Sequence, residues 1–275
     1  MTNPLSKHFR QPAIHMELPS GGRWWRPGSL ELPLTKQVPI CPMTARDEII
    51  LRTPDALMNG SSIVDVFQSC CSAVKDGWAV PNVDVDALLI GIRIASYGNI
   101  LDISSKCPHC QNENTHGIDL GSRLQQLKCP DFDKTLSQEN LVFRFRPMPY
   151  FAITKEKTVS FYQEKMFMAI SNTELDETTR TNLIRQHAKD MLAASIEALT
   201  HQTEFIQLDT GEKVNEFDFI KEFYENTDSE VIKKTQRHLT DLLDEVKPPE
   251  IMVMCESCQK NYELPIEFDY SNFFG

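Results

Sequence analysis

Apolar positions recur along this chain with two periods, and the places where the period changes divide it into segments. A helical period begins near Thr44, which is followed by Asp47 and Glu48 in the manner of a capped helix start, with Ile49, Ile50 and Leu51 supplying apolar content. Ser61 or Ser62 is placed to cap a second helix that carries Ile63, Val66, Phe67, Cys70 and Val74 on one face. A third helix is predicted over residues 84–97, nearly surrounded by Leu88, Leu89, Ile92, Ile94 and Ala95 and stopped by Gly98. A helix apolar on most sides is buried, so this one predicts the centre of a helical N-terminal domain.

Strand character returns at residues 100–104 and 141–146, and period two appears after residue 260. There Tyr262, Leu264, Ile266 and Phe268 alternate with Asn261, Glu263, Pro265 and Glu267, the pattern of a half-buried strand. Residues 111–120 show little helical periodicity and read as a further strand. Residues 154–246 read as mostly helical: Phe161, Lys165, Met166, Phe167 and Ile170 mark one helix. Leu183, Ile184, His187, Met191, Leu192, Ile196 and Leu199 mark a second, and Val231, Ile232, Thr235, Leu239, Leu242, Leu243 and Val246 a third. Asp209-Thr210-Gly211 between two short apolar runs is a hairpin signal, and Pro248-Pro249 ends the helical section. The first 43 residues are punctuated by Pro19, Gly21, Gly22 and Pro27-Gly28 too often for a helix and read as an extended arm or clasp. Trp24 and Trp25 in it read as packing groups first and as partner anchors second.

Chemistry enters with two distant pairs, Cys107-Pro108-His109-Cys110 and Cys255-Glu256-Ser257-Cys258. A two-residue spacer lets both sulfurs of such a knuckle reach one ion at about 2.3 Å, and two knuckles supply a closed tetrahedral zinc site. Each knuckle precedes a predicted strand, which is the layout of a zinc ribbon. Cys107, Cys110, Cys255 and Cys258 are therefore the expected ligands of one structural Zn2+ that clips the tail of the chain to its middle. A redox reading of C-P-H-C needs the attacking cysteine at a helix N-terminus; Gln111-Asn112-Glu113-Asn114 opens a helix poorly and a second knuckle is present. His109 and His116 leave a mixed ligand set open, and unmetallated thiols are the remaining alternative. Cys70 and Cys71 fall in the second helix and read as small buried hydrophobes, while Cys41 and Cys129 have no partner at ligand spacing.

The predicted fold class is α+β: a mainly helical N-terminal domain and a helical insertion, joined to a small zinc-ribbon-like β module built from the two knuckles. The expected divisions are an arm over 1–43, the helical domain over 44–98 and the first half of the zinc/β module over 99–147. The insertion with its short hairpin follows over 148–249, and the second half of the module with an aromatic tail over 250–275. Among 275 residues, 28 Lys and Arg stand against 39 Asp and Glu, a net charge of −11 that opposes binding to a polyanion. No apolar run is long enough to span a membrane, and residues 1–10 lack the apolar stretch of a signal peptide, so synthesis in the cytoplasm is expected. Eight cysteines in such a chain favour metal or buried thiols over disulfides. Phosphate-cradling loops and the G-x-S-x-G nucleophile elbow are absent, the seven histidines are scattered, and no small-molecule substrate or enzymatic activity is expected.

Leu18-Pro19-Ser20-Gly21-Gly22-Arg23, then Thr44-Ala45-Arg46-Asp47-Glu48, then Arg93-Ile94-Ala95-Ser96-Tyr97-Gly98, then C-P-H-C followed by Asp119-Leu120, resembles the baseplate hub-subunit family of T4-like contractile-tailed bacteriophages. The resemblance covers roughly residues 15–125, with a weaker echo from Cys255 to Phe274. It implies a non-enzymatic structural component or assembly factor of the phage tail, located in the virion baseplate and partnered by other tail and baseplate proteins. The competing reading is a zinc-ribbon module for nucleic acid or the transcription machinery. Glu256, Glu263, Glu267 and Asp269 around the second knuckle argue against it. Residues 154–246 and the C-terminal stretch 268–275, with Phe273 and Phe274, are the expected contact surfaces, because exposed aromatic clusters mark interaction sites; the alternative is a tail folded back onto the zinc ribbon.

Overall fold

A computed structural model of the chain describes residues 3–53, 60–172, 177–264 and 273–274, without the side chains at 162, 163, 167 and 169–172. With 47% helix and 20% strand, the chain is α+β, as the mixture of periods predicts. The expected helix face at Phe167 and Ile170 and the strand continuation at 265–268 lie outside the described residues.

Helix α1 (Ala45–Leu51) opens with the predicted capping box. Asp47 N donates to Thr44 Oγ1 at 3.3 Å and Thr44 N to Asp47 Oδ2 at 2.8 Å, so two otherwise orphaned donors are satisfied reciprocally. Helix α2 (Ser61–Cys70) starts differently from expectation: its N-cap is Gly60 at φ 76°, and no side chain caps it. A Cβ at Gly60 would sit 2.8 Å from Thr154, so both the left-handed backbone and the close approach need glycine. Val74, expected on the α2 face, lies beyond the helix end and bridges to Leu30. Helix α3 (Asn82–Tyr97) is the buried helix, with Leu88, Leu89, Ile90 and Ile92 almost wholly covered and Gly98 at φ 90° ending it.

The arm closes over this core as a two-stranded antiparallel sheet, β1 (Ile14–Glu17) with β2 (Gln37–Ile40). Met16, Leu18, Val38 and Ile40 join α2 and α3 in the first core. Asp84 at the start of α3 fastens the arm. Its buried carboxylate accepts hydrogen bonds from Ser20 N at 2.8 Å, Ser20 Oγ at 2.5 Å and Trp25 Nε1 at 2.8 Å. Burial pushes the Asp84 pKa up, and the Ser20 and Trp25 donors oppose that rise. Cys70 and Cys71 lie in this core fully covered, and burial raises the Cys70 thiol to about 12, so they behave as the small hydrophobes the sequence suggests.

Strands β3 (Ile100–Lys106) and β4 (Glu113–Asp119) form an antiparallel hairpin. The strand expected to reach residue 120 ends where Asp119 caps a short helix, α4 (Leu120–Gln126), by accepting from Gly121 N at 2.9 Å. A second core follows, on a four-stranded antiparallel sheet in the order β5 (Leu136–Gln138), β6 (Leu141–Phe145), β7 (Thr203–Gln207), β8 (Lys213–Val214). Between β6 and β7 run two long helices, α5 (Tyr150–Asn172) and α6 (Glu177–Gln202). Phe143, Phe145 and Ile206 of the sheet share this core with Ile196 and Leu199 of α6, with α7 (Phe217–Asn226) and with α8 (Ser229–Asp244). A boundary at 147/148 does not separate these parts, because β6 pairs with β7 and the predicted hairpin is one edge of a sheet begun before the insertion. Helix α7 is amphipathic, with Phe217, Ile220 and Tyr224 at helical spacing and Ile220 and Tyr224 buried.

The last hairpin is β9 (Ile251–Met254) with β10 (Asn261–Leu264). Tyr262 and Leu264 point inward and Asn261 and Glu263 outward, as period two requires. The chain then returns to the first core, where Phe273 and Phe274 are only 4% and 6% exposed and Arg93 Nε donates to the Phe273 carbonyl at 3.1 Å. These two rings are covered within the chain rather than left as a contact surface, and what covers them is the first core, not the zinc ribbon.

Candidate metal centre

Each knuckle is built by the same backbone device. Cys107 N donates to Asn112 O at 2.9 Å and Gln111 N to Cys107 O at 2.9 Å; Cys255 N donates to Lys260 O at 3.0 Å and Gln259 N to Cys255 O at 2.9 Å. Gln111 and Gln259 take left-handed φ values of 61° and 56°. A non-glycine residue in that region costs free energy, and here it is held in the same place twice. The two turns therefore present their sulfurs alike.

Facing each other, the knuckles bring the Sγ atoms of Cys107, Cys110, Cys255 and Cys258 within 4.8 Å of one another. Two cross-knuckle distances are 3.8 Å for Cys107 to Cys258 and 3.6 Å for Cys110 to Cys255. A tetrahedron with metal–sulfur bonds near 2.3 Å has edges of about 3.8 Å, whereas a disulfide needs about 2.05 Å. Cys107 and Cys255 are fully buried, Cys258 is half-buried and Cys110 is exposed. Among the described residues no other group of His, Cys, Asp and Glu converges in this way.

Hydrogen bonds across the seam hold the two hairpins in register. Tyr262 Oη lies 2.8 Å from Ser105 Oγ and 3.0 Å from His116 Nε2. Glu256 N donates to Oδ1 of the buried Asn114 at 3.0 Å. His116 is thus engaged by Tyr262, and His109 is exposed outside the cluster, so the mixed ligand set does not assemble. The first knuckle leads into β4 rather than into a helix, so the helix N-terminus that a redox reading calls for does not follow it. Electrostatics within the cluster are uneven. The Cys258 backbone N–H, against burial and aided by Ser257 N–H and the thiols of Cys110 and Cys258, pulls the Cys255 thiol down to about 6. At Cys110 the pull of the Asn112 backbone is outweighed by desolvation and by its contacts with the other three thiols, which raise it to about 12. Four thiols sharing protons at these distances can hold a soft divalent metal once deprotonated. Sequence spacing identifies all four; Asn114 and Ser105, which carry the seam, have no local signal, and only the period-two pattern marks Tyr262 as inward-facing.

The model of a family described as T4 bacteriophage base plate protein matches residues 12–275. The chain belongs to this family. Searches of curated proteins and of solved structures gave no match. The family match spans the arm, both knuckles and the helices between them, well past the stretch on which the sequence resemblance rests. In this base plate protein the cysteine cluster therefore joins two hairpins that both lie within the family's span. Among the described residues, no helix is long and apolar enough to cross a membrane.

Proposed function

We propose that the protein is a non-enzymatic part of the phage baseplate, at its hub, acting as a structural component or an assembly factor through protein–protein contacts. Its four-thiolate cluster holds one structural zinc ion, in a zinc-ribbon-like module formed by the β3–β4 and β9–β10 hairpins. The observation that carries this reading is the meeting of Cys107, Cys110, Cys255 and Cys258 with cross-knuckle edges of 3.6 and 3.8 Å in a chain of the base plate family. Four thiolates close the coordination sphere, so the ion supplies cross-linking rather than an open position for substrate. Contacts come from the long pair α5 and α6, about 35 and 39 Å at 1.5 Å per residue. Met168, Ile184 and Leu192 on this pair are 55%, 44% and 55% exposed, more apolar surface than a solvated helix needs.

Elemental analysis of the purified protein tests the metal: about one zinc per chain is expected, and none in a Cys255→Ser/Cys258→Ser variant. Absence of metal from the parent, or full metal in the variant, overturns the site. Co-expression with the neighbouring tail proteins of the same phage, followed by affinity capture, tests the role. A low-salt gel shift covers the alternative, since tight DNA binding reverses the ranking.

A further inference from the structure

A cleft of about 590 Å³ opens where the arm meets the second core, remote in sequence from the cysteine cluster. Trp24 and Trp25 of the arm line it, with Phe151 of α5, Phe217 of α7, and Pro147 and Pro149. Its wall is held rigidly. Trp24 sits at φ 63°, a strained value for a bulky residue, and its ring is gripped edge-on by Phe132 at 5.3 Å and overlain by the Arg23 guanidinium at 4.2 Å.

One cation in the cleft, Arg146, has no ion-pair partner within 4.0 Å among the described residues. Arg146 is fixed by its backbone N–H to Gln202 O at 2.8 Å and by Nε to His201 O at 3.0 Å. Its two Nη groups have no hydrogen-bond or ion-pair partner among the described residues and are not sealed from solvent. Glu204, the acid in the same cleft, forms an ion pair with Arg144 Nε at 3.0 Å without a hydrogen bond, and its charge also reaches Arg146. Burial lowers the Arg146 pKa and nearby Glu204 opposes that fall, so the guanidinium stays charged while partly desolvated. A partly buried charge calls for an opposite one with hydrogen bonds. Two free Nη donors in one plane match a carboxylate. The −11 chain and Glu204 itself weigh against a polyanion. Rigid aromatic and proline walls suit an extended, proline-containing main chain.

We propose that this cleft docks an extended peptide segment of a partner protein, seating one aspartate or glutamate carboxylate on the Arg146 Nη groups and an adjacent proline or aromatic side chain against Trp24 and Phe217. The assignment rests on the reading of the chain as a contact protein, and it is independent of the metal.

The test uses the full-length protein and two acetylated, amidated hexapeptides: a proline-rich one with a central glutamate beside a phenylalanine, and the same peptide with glutamine for glutamate. Calorimetry and the fluorescence of the cleft tryptophans report binding. The glutamate peptide is expected to bind about tenfold more tightly or better, the size of one charge-assisted pair. Arg146→Gln should erase the difference. Because Arg146 also braces the backbone, Phe217→Ala serves as the second variant: it should weaken both peptides with the preference for glutamate kept. Equal binding of the two peptides, no binding of either, or displacement of the peptide by equimolar inorganic phosphate overturns the proposal. Zinc content measured on the same samples separates failure of the cleft from failure of the metal reading.

Discussion

Replacing Phe273 or Phe274 by alanine probes the least expected tie in the molecule. Both rings are nearly fully buried in the first core, touch each other edge-on at 5.1 Å, and belong to a segment whose carbonyl is held by Arg93 of α3. Truncating a buried phenylalanine costs about 3–5 kcal/mol, the lost transfer free energy plus the cavity it leaves. At roughly 2.1 cal/mol/K per residue, the unfolding entropy of a chain this long converts 4 kcal/mol to a fall in melting temperature of about 7 °C. The double variant should cost less than the sum of the two, because the rings are mutual neighbours and loss of both lets the segment lift away without leaving a closed void. Thermal unfolding followed by circular dichroism measures this, with Leu34→Ala, at a fully exposed position, as the control expected to stay within about 0.5 kcal/mol of the parent. Limited proteolysis after β10 gives a local readout: faster cleavage is expected in the double variant, and faster still with a strong chelator added. Melting within about 1 °C of the parent for both single variants, with unchanged cleavage, would refute the burial argument.

Asp84→Asn should destabilise by roughly 2–4 kcal/mol in urea unfolding, because an amide nitrogen then meets donors from Ser20 and Trp25 that a carboxylate accepts, and tryptophan emission should shift red as the arm loosens. At Asp47 burial raises the pKa, but hydrogen bonds from Thr44 and Ser69 and the Arg10 guanidinium outweigh it and hold the carboxyl below its ordinary 3.8. Its stabilisation is therefore present above about pH 3.8 and lost as pH falls through the lower folded value. Asp47→Asn should cost about 1 kcal/mol at pH 7 and flatten the stability profile below pH 4, and an unchanged acid limb in the variant counts against the assignment. Supplying zinc to the purified protein and then removing it with a strong chelator should loosen β9 and β10 if the proposed site is correct, read as faster amide exchange there, while α3 remains protected.

Short-range regularities were decided by sequence alone. The all-round apolarity of α3 with Gly98 behind it, the Thr44–Asp47 capping box, the alternation through Tyr262 and Leu264 and the two cysteine knuckles each depend on residues a few positions apart. Hydrogen-bond geometry and side-chain period act at that range, so a linear reading reaches them. What required the tertiary structure was every relation between distant segments. Pairing of β6 with β7 across two long helices has no local signature, because any strand with a free edge and an apolar face could have served. Gly60 beside Thr154, and Gly91, where a Cβ would lie 2.6 Å from Met16 Sδ, are glycines whose necessity appears only when the neighbour arrives. Asp84 reads in sequence as one more acid at a helix start, and becomes the arm's fastening only once Ser20 and Trp25 are folded onto it. The final phenylalanines look like an exposed contact because burial is a property of the core that receives them, and the tie that holds them there comes from Arg93, 180 positions back along the chain.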